Sequence, residues 1–93
     1  MIDIFIEEVE NTNLNVFFVQ LGCIYTCTYN TLYTLCDNIV SLYTEYNKTA
    51  DNEVEYQYLP INVYNRLYKS NCNCILAKDI DDNISYTIKK ICA

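Results

Sequence analysis

NEVEYQYLPINVYNRLYK, residues 52–69, decides how the rest of the chain is read. Val54, Tyr56 and Tyr58 alternate with Glu55 and Gln57. This period of two, with β-branched and aromatic residues on one face, predicts a half-buried strand. Pro60 stops the ladder because it has no N–H to donate, and its fixed φ suits the start of a helix. Val63, Tyr64, Leu67 and Tyr68 then recur at i, i+1, i+4 and i+5, one apolar stripe of a short helix.

Moving towards the N-terminus, NKTADN (residues 47–52) lacks periodicity and reads as a solvated loop. Before it, Leu32, Leu35, Cys36, Ile39, Leu42, Tyr43 and Tyr46 keep the i, i+3, i+4, i+7 spacing of a helix over residues 30–46. Thr28, Asn30 and Thr31 are its candidate caps. LNVFFVQL (14–21) is apolar on both faces, as a central strand is. Gly22 marks a turn, and residues 24–28 return as a third strand to close a hairpin. Ile2, Ile4 and Ile6 alternate with Asp3, Phe5 and Glu7 in a first strand ending near Val9. Towards the C-terminus, residues 70–73 end the helix. Asp79–Asp82 suits a helix N-terminus through the dipole, and Ile84, Ile88, Ile91 and Cys92 form a last helical stripe.

The expected fold class is therefore α+β: a small mixed or antiparallel sheet, made of the hairpin plus the later strand, with about three helices on one side. Ninety-three residues make a single domain with one modest core. A hydrophobic fraction of 52% with 19% charged residues is a globular composition. The formal charge is −6, and the six Lys and Arg are scattered, with Lys89 and Lys90 the only adjacent pair. That argues against nucleic acid and against an anionic membrane as partners. No apolar run reaches membrane-spanning length, and MIDIFIEEVE has no basic signal region, so an intracellular location in cytoplasm or nucleus is expected. The abundance of tyrosine and asparagine suggests an AT-rich genome, such as those of some large viruses and parasites.

There is no histidine, which removes the commonest general base and the commonest zinc ligand. One glycine excludes a glycine-rich phosphate loop. Glu7/Glu8 and Asp81/Asp82 are adjacent carboxylates, but neighbours on a strand point to opposite faces, and the aspartates suit a helix cap. No catalytic residue, cofactor or metal is assigned. Six cysteines permit three disulfides, yet Cys36 and Cys92 fall on apolar stripes where a thiol acts as a small hydrophobe. Cys23, Cys27, Cys72 and Cys74 would make a zinc site only if both pairs converged, and their spacing departs from the usual Cys-x-x-Cys.

The order hairpin, helix, acidic loop, strand, proline, helix resembles the short BTB/POZ fold of cullin adaptors of the elongin C type. The residues that carry the likeness are Asn38-Ile39-Val40-Ser41-Leu42, the loop through Asp51, and NEVEYQYLP from Asn52 to Pro60. VFFVQLGCIYTC lies where the family's first hairpin would be, and ISYTIKKIC matches its penultimate helix. On this resemblance residues 14–93 are the BTB-like part and residues 1–13 an extra N-terminal strand and turn. Lys89 and Lys90 stand where the family's receptor pocket is apolar. The family's partner contacts lie near its late helices and the acidic loop. That nominates Tyr64, Tyr68, Asn47, Asp51, Ile84 and Ile88 as partner-binding residues.

The functional expectation is a non-enzymatic protein–protein interaction module, a truncated adaptor or decoy whose partner is a cullin-type scaffold or an elongin-type protein. Ten tyrosines exceed what so small a core buries, and tyrosine is enriched at protein interfaces. One alternative is a self-associating structural or host-modulating protein, a homodimer through the strand at residues 1–9, where an unpaired edge of isoleucines would seek a partner. Another is a cysteine-rich metal or redox protein.

Overall fold

Alternation along the first strand gives the sheet two faces to bury, and the chain covers both. The computed structural model describes residues 1–49, 59–82 and 84–92. Its elements are β1 (Ile2–Glu8), β2 (Asn13–Phe18), β3 (Cys23–Thr28), α1 (Tyr29–Thr49), α2 (Ile61–Lys69), β4 (Cys72–Asp81) and β5 (Ile84–Ile91). The strands form one five-stranded mixed sheet in the order β3-β2-β1-β5-β4. Among the described strands only β1 and β5 run parallel, with Ile4 opposite Ile88. The architecture is α+β, as expected, with two helices among the described residues where about three were anticipated.

Ile2, Ile4 and Ile6 of β1 join Leu14, Val16 and Phe18 of β2 and Tyr86 and Ile88 of β5 in one buried cluster. Leu32, Cys36 and Val40 of α1, spaced four apart, close it. On the opposite face Phe5, Phe17 and Val19 pack with Leu59 and Leu67, the latter from α2. The helices therefore lie on opposite faces of the sheet, a correction to the one-sided arrangement expected from sequence. Each fully buried Ile or Leu contributes roughly 2 kcal/mol of transfer free energy, so these two clusters dominate the favourable balance.

Local chemistry sets the boundaries. Gly22, at φ 70°, takes the left-handed conformation at the end of the β2–β3 loop, and its N–H donates to the Phe18 carbonyl at 2.8 Å. Asn11, at φ 50°, does the same in the β1–β2 turn. Thr28 precedes α1. Its N–H donates to Thr31 Oγ1 at 3.3 Å, while that hydroxyl donates back to the Thr28 carbonyl at 3.2 Å. The Pro60 carbonyl accepts the first bond of α2, from the Tyr64 N–H at 3.0 Å. Ser70 turns extended after α2, and its Oγ donates to the Leu67 carbonyl at 2.6 Å.

Three further expectations are corrected. Residues 84–91 are strand β5, paired antiparallel with β4, and not a late helix. Ile84, Tyr86 and Ile88 share one face, Ser85, Thr87 and Lys89 the other, and the β-branched content suits a strand buried between two neighbours. The N-terminal strand is the centre of the sheet, with β2 on one side and β5 on the other. It therefore has no open ladder for the homodimer expected at residues 1–9. Third, α1 runs to Thr49, so Asn47 is helical and not part of a loop. The strand expected over residues 54–58 lies outside the described residues, as does Asp51.

Ile88 sits between Ile4 of β1 and Leu76 of β4 with no exposed surface. Ile88→Ala is expected to cost about 2–5 kcal/mol in a urea titration, against less than about 0.5 kcal/mol for the exposed Ile61→Ala. Equal midpoints for the two variants would refute a core built on β5.

Candidate functional site

Helix α2 divides its nonpolar residues between two directions. Val63 and Leu67, four apart, face the sheet. Ile61, Tyr64 and Tyr68, at i, i+3 and i+7, form an outward stripe, 73%, 37% and 42% exposed. The Tyr64 and Tyr68 rings pack 4.6 Å apart, and Tyr68 meets the Phe5 ring edge-on at 5.1 Å. Arg66 and Lys69 occupy the last turn, and the helix carries no acid.

Asp3 fixes the inner end of this stripe. Tyr68 donates its phenol proton to Asp3 Oδ2 at 2.7 Å. Gln20 donates to the same oxygen at 3.3 Å and accepts from the Asp3 N–H at 2.8 Å. Thr87 donates to Oδ1 at 3.4 Å, and Lys89 Nζ lies 3.8 Å from it. Burial, then the hydrogen bond to Asp3, push the Tyr68 phenol above its ordinary value. Tyr68 is therefore a committed donor, and its ring is held in place by both ends.

The other strand carboxylates are clamps of the same kind. Glu7 pairs with Arg66 of α2 at 2.8 Å. Glu8, on the opposite face, accepts from Tyr29 of α1 and from Lys90 at 2.7 Å. Lys90, then Tyr29, hold the Glu8 carboxyl below its usual range. A cleft of about 520 Å³ between Glu7, Glu8, Asn73, Lys90 and Cys92 is thus lined by acids already engaged with cations. On α1, Asp37 accepts from Lys78 at 2.8 Å and from Tyr86, and those bonds lower its pKa.

Of the residues nominated from sequence, Tyr64 and Tyr68 come together on one exposed surface. Ile88 does not belong there, because it is wholly buried in the α1-side core. Ile84 is partly buried against that same core. Asn47 lies in the last turn of α1, and Asp51 is outside the described residues. Ile61 and Asp3 were missed. Ile61 had the signal of helical spacing to Tyr64 and Tyr68, whereas Asp3 had none, because only the tertiary fold brings Gln20, Tyr68, Thr87 and Lys89 to it.

The thiols do not converge. Cys23 and Cys27 lie on β3, and Cys72 and Cys74 on β4, the two outer strands of the sheet. Four strand spacings separate them, about 19 Å, too far for one tetrahedral ion. All six cysteines are free thiols, and no cluster of three or more metal-ligating side chains occurs among the described residues. Cys36 is buried, as its stripe predicted, and Cys92 is exposed, contrary to its stripe. No described helix is long and apolar enough to cross a membrane. No protein-family model, curated protein or solved structure matches this chain.

Two outcomes follow from these environments. Burial pushes the Cys36 thiol up to about 12, so a short iodoacetamide pulse at pH 8 should label Cys74 and Cys92 and spare Cys36, by peptide mass spectrometry. Early labelling of Cys36 would mean that α1 opens from the sheet. The lowered pKa of Asp37 adds stability that is complete above its ordinary value of 3.8 and is lost as pH falls through the lower folded value. The pair is partly exposed, so the gap in stability between wild type and Asp37→Asn should be about 0.2–1 kcal/mol at neutral pH. It should close in thermal melts taken towards pH 2, and a gap that persists there would refute the ionic origin.

Proposed function

We propose that this chain is a non-enzymatic protein-interaction module that docks a protein partner on the outer face of α2. The observation that carries the reading is the exposed stripe Ile61, Tyr64 and Tyr68, an apolar and aromatic patch whose second tyrosine is fixed by Asp3. Such rings bring large contact area at low entropic cost, because Tyr68 is already immobilised before binding. Lys69 at the rim favours a partner with an apolar pocket bordered by an acid, whereas Arg66 is engaged with Glu7.

A cullin-type or elongin-type partner is the specific occupant suggested by the resemblance around Asn52 to Pro60, and α2 does begin directly after that proline. The part of the resemblance that placed a helix over residues 84–92 falls away with β5. Support for this partner is therefore confined to the proline-to-helix segment.

The test is a direct titration of purified cullin N-terminal domain and of elongin B onto the immobilised chain. Tyr64→Ala and Ile61→Ala are expected to weaken binding about tenfold each, or about 1.4 kcal/mol, with unchanged circular dichroism. Binding that ignores both variants would remove α2 from the interface. No binding of either protein would end the adaptor reading.

A further inference from the structure

The two outer strands of the sheet differ in a way that the α2 reading does not use. β4 includes Lys78 and Asp79, and its pairing with β5 is interrupted at Cys74/Leu76 and again at Asp79/Asp81. Charges and bulges of that kind blunt an edge. β3, CIYTCT, has no charged residue, no proline and no register shift against β2. Among the described residues no strand pairs with its outer side, and β3 ends the sheet that they form.

We propose that two copies of this chain pair edge to edge through β3, antiparallel about a two-fold axis centred on Tyr25, to give a continuous ten-stranded sheet. The strand is complementary to itself. A two-fold axis normal to the sheet sets Tyr25 opposite its own copy, Ile24 opposite Thr26, and Cys23 opposite Cys27. These are β-branched, aromatic and small pairs of the kind that stabilise adjacent strands. Each chain carries a net charge of −6, and an uncharged seam lets two such chains meet without a like-charge clash in the ladder.

The surroundings of the edge supply the area that a strand pair lacks. A stable interface buries about 1,200–2,000 Å², more than six residues of ladder provide. On the α1 face, an open groove of about 600 Å³ runs beside β3, lined by Leu21, Cys23, Tyr25, Ile39, Leu42, Tyr43 and one acid, Glu45. Leu42 is 63% exposed and Tyr25 41%. The two-fold axis carries both α1 helices to one face, flanking the seam, so each groove is extended by the other copy. Because the opposite edge is blunted, pairing closes at two chains and does not run on into a filament.

The experiment is sedimentation equilibrium of the reduced full chain over the micromolar range. The expected mass is twice the 10.9 kDa of one chain. Thr26→Lys, at an exposed position, and Tyr25→Lys should each weaken self-association about tenfold or more. Circular dichroism identifies either variant that fails to fold. Mild diamide oxidation of the wild type should join Cys23 of one copy to Cys27 of the other, because cross-strand Cα separations of about 4.5–5.5 Å lie within disulfide range. A monomer throughout, or a dimer indifferent to both lysines and lacking the Cys23–Cys27 link, would overturn the proposal. Either result leaves the α2 surface untouched.

Discussion

Everything in this molecule depends on β1 being hydrogen-bonded on both sides. It is the strand where the antiparallel meander β1-β2-β3 meets the β4–β5 hairpin, and like β2 it sends buried side chains into both cores, Ile4 and Ile6 on one face and Phe5 on the other. A strand in that position buries its middle, Ile4 to Ile6, and carries charge only towards its two ends. Its three carboxylates are all engaged: Asp3 with Gln20, Tyr68, Thr87 and Lys89, Glu7 with Arg66, and Glu8 with Tyr29 and Lys90. They join the central strand to both helices and to β5, and they are better understood as joints than as reactive groups. A buried or half-buried carboxylate left without partners would cost more than its packing returns.

The first three strands and both helices were legible because their signals are local. Isoleucines at 2, 4 and 6, the apolar run at 14–21, the glycine at 22 and the stripe from Leu32 to Tyr46 each predict one element with no knowledge of the others. The β4–β5 hairpin was misread because Ile84, Ile88 and Ile91 fit the spacing of a helix while Ile84, Tyr86 and Ile88 fit that of a strand. Nothing inside the window separates the two periods. What decides is the parallel ladder to β1, with Ile2 opposite Tyr86 and Lys90 opposite Ile6, a partner some eighty positions away. The β-branched residues from Ile84 to Ile91 and the turn-prone Asp-Asn before them were the available counter-signal.

The candidate surface divides along the same line. Tyr64 and Tyr68 were readable because a proline, a stripe and an excess of tyrosine lie in consecutive residues. The fixing of Tyr68 by Asp3 was not, since a separation of 65 residues lies between donor and acceptor. Nor could sequence distinguish an edge from a centre. The isoleucine-rich N-terminal strand reads as an adhesive edge, yet the fold buries it and leaves CIYTCT at the rim of the described sheet. Adhesiveness of a strand is a property of its position in the sheet, and position is assigned only when the last strand has been placed.

That order of placement bears on how the protein is made. The side chains of Asp3 and Thr87 touch across 84 residues, and a ribosome adding about 5–20 residues per second needs roughly 4–17 s to span that interval. Over those seconds the meander β1-β2-β3 can form with one ladder of β1 open, because β5 has not yet emerged, and Phe5 stays uncovered until α2 follows. The nascent chain thus displays the very edge that the finished one conceals. The interval during which a strand-shielding chaperone is useful to it is set by the distance between its two parallel strands.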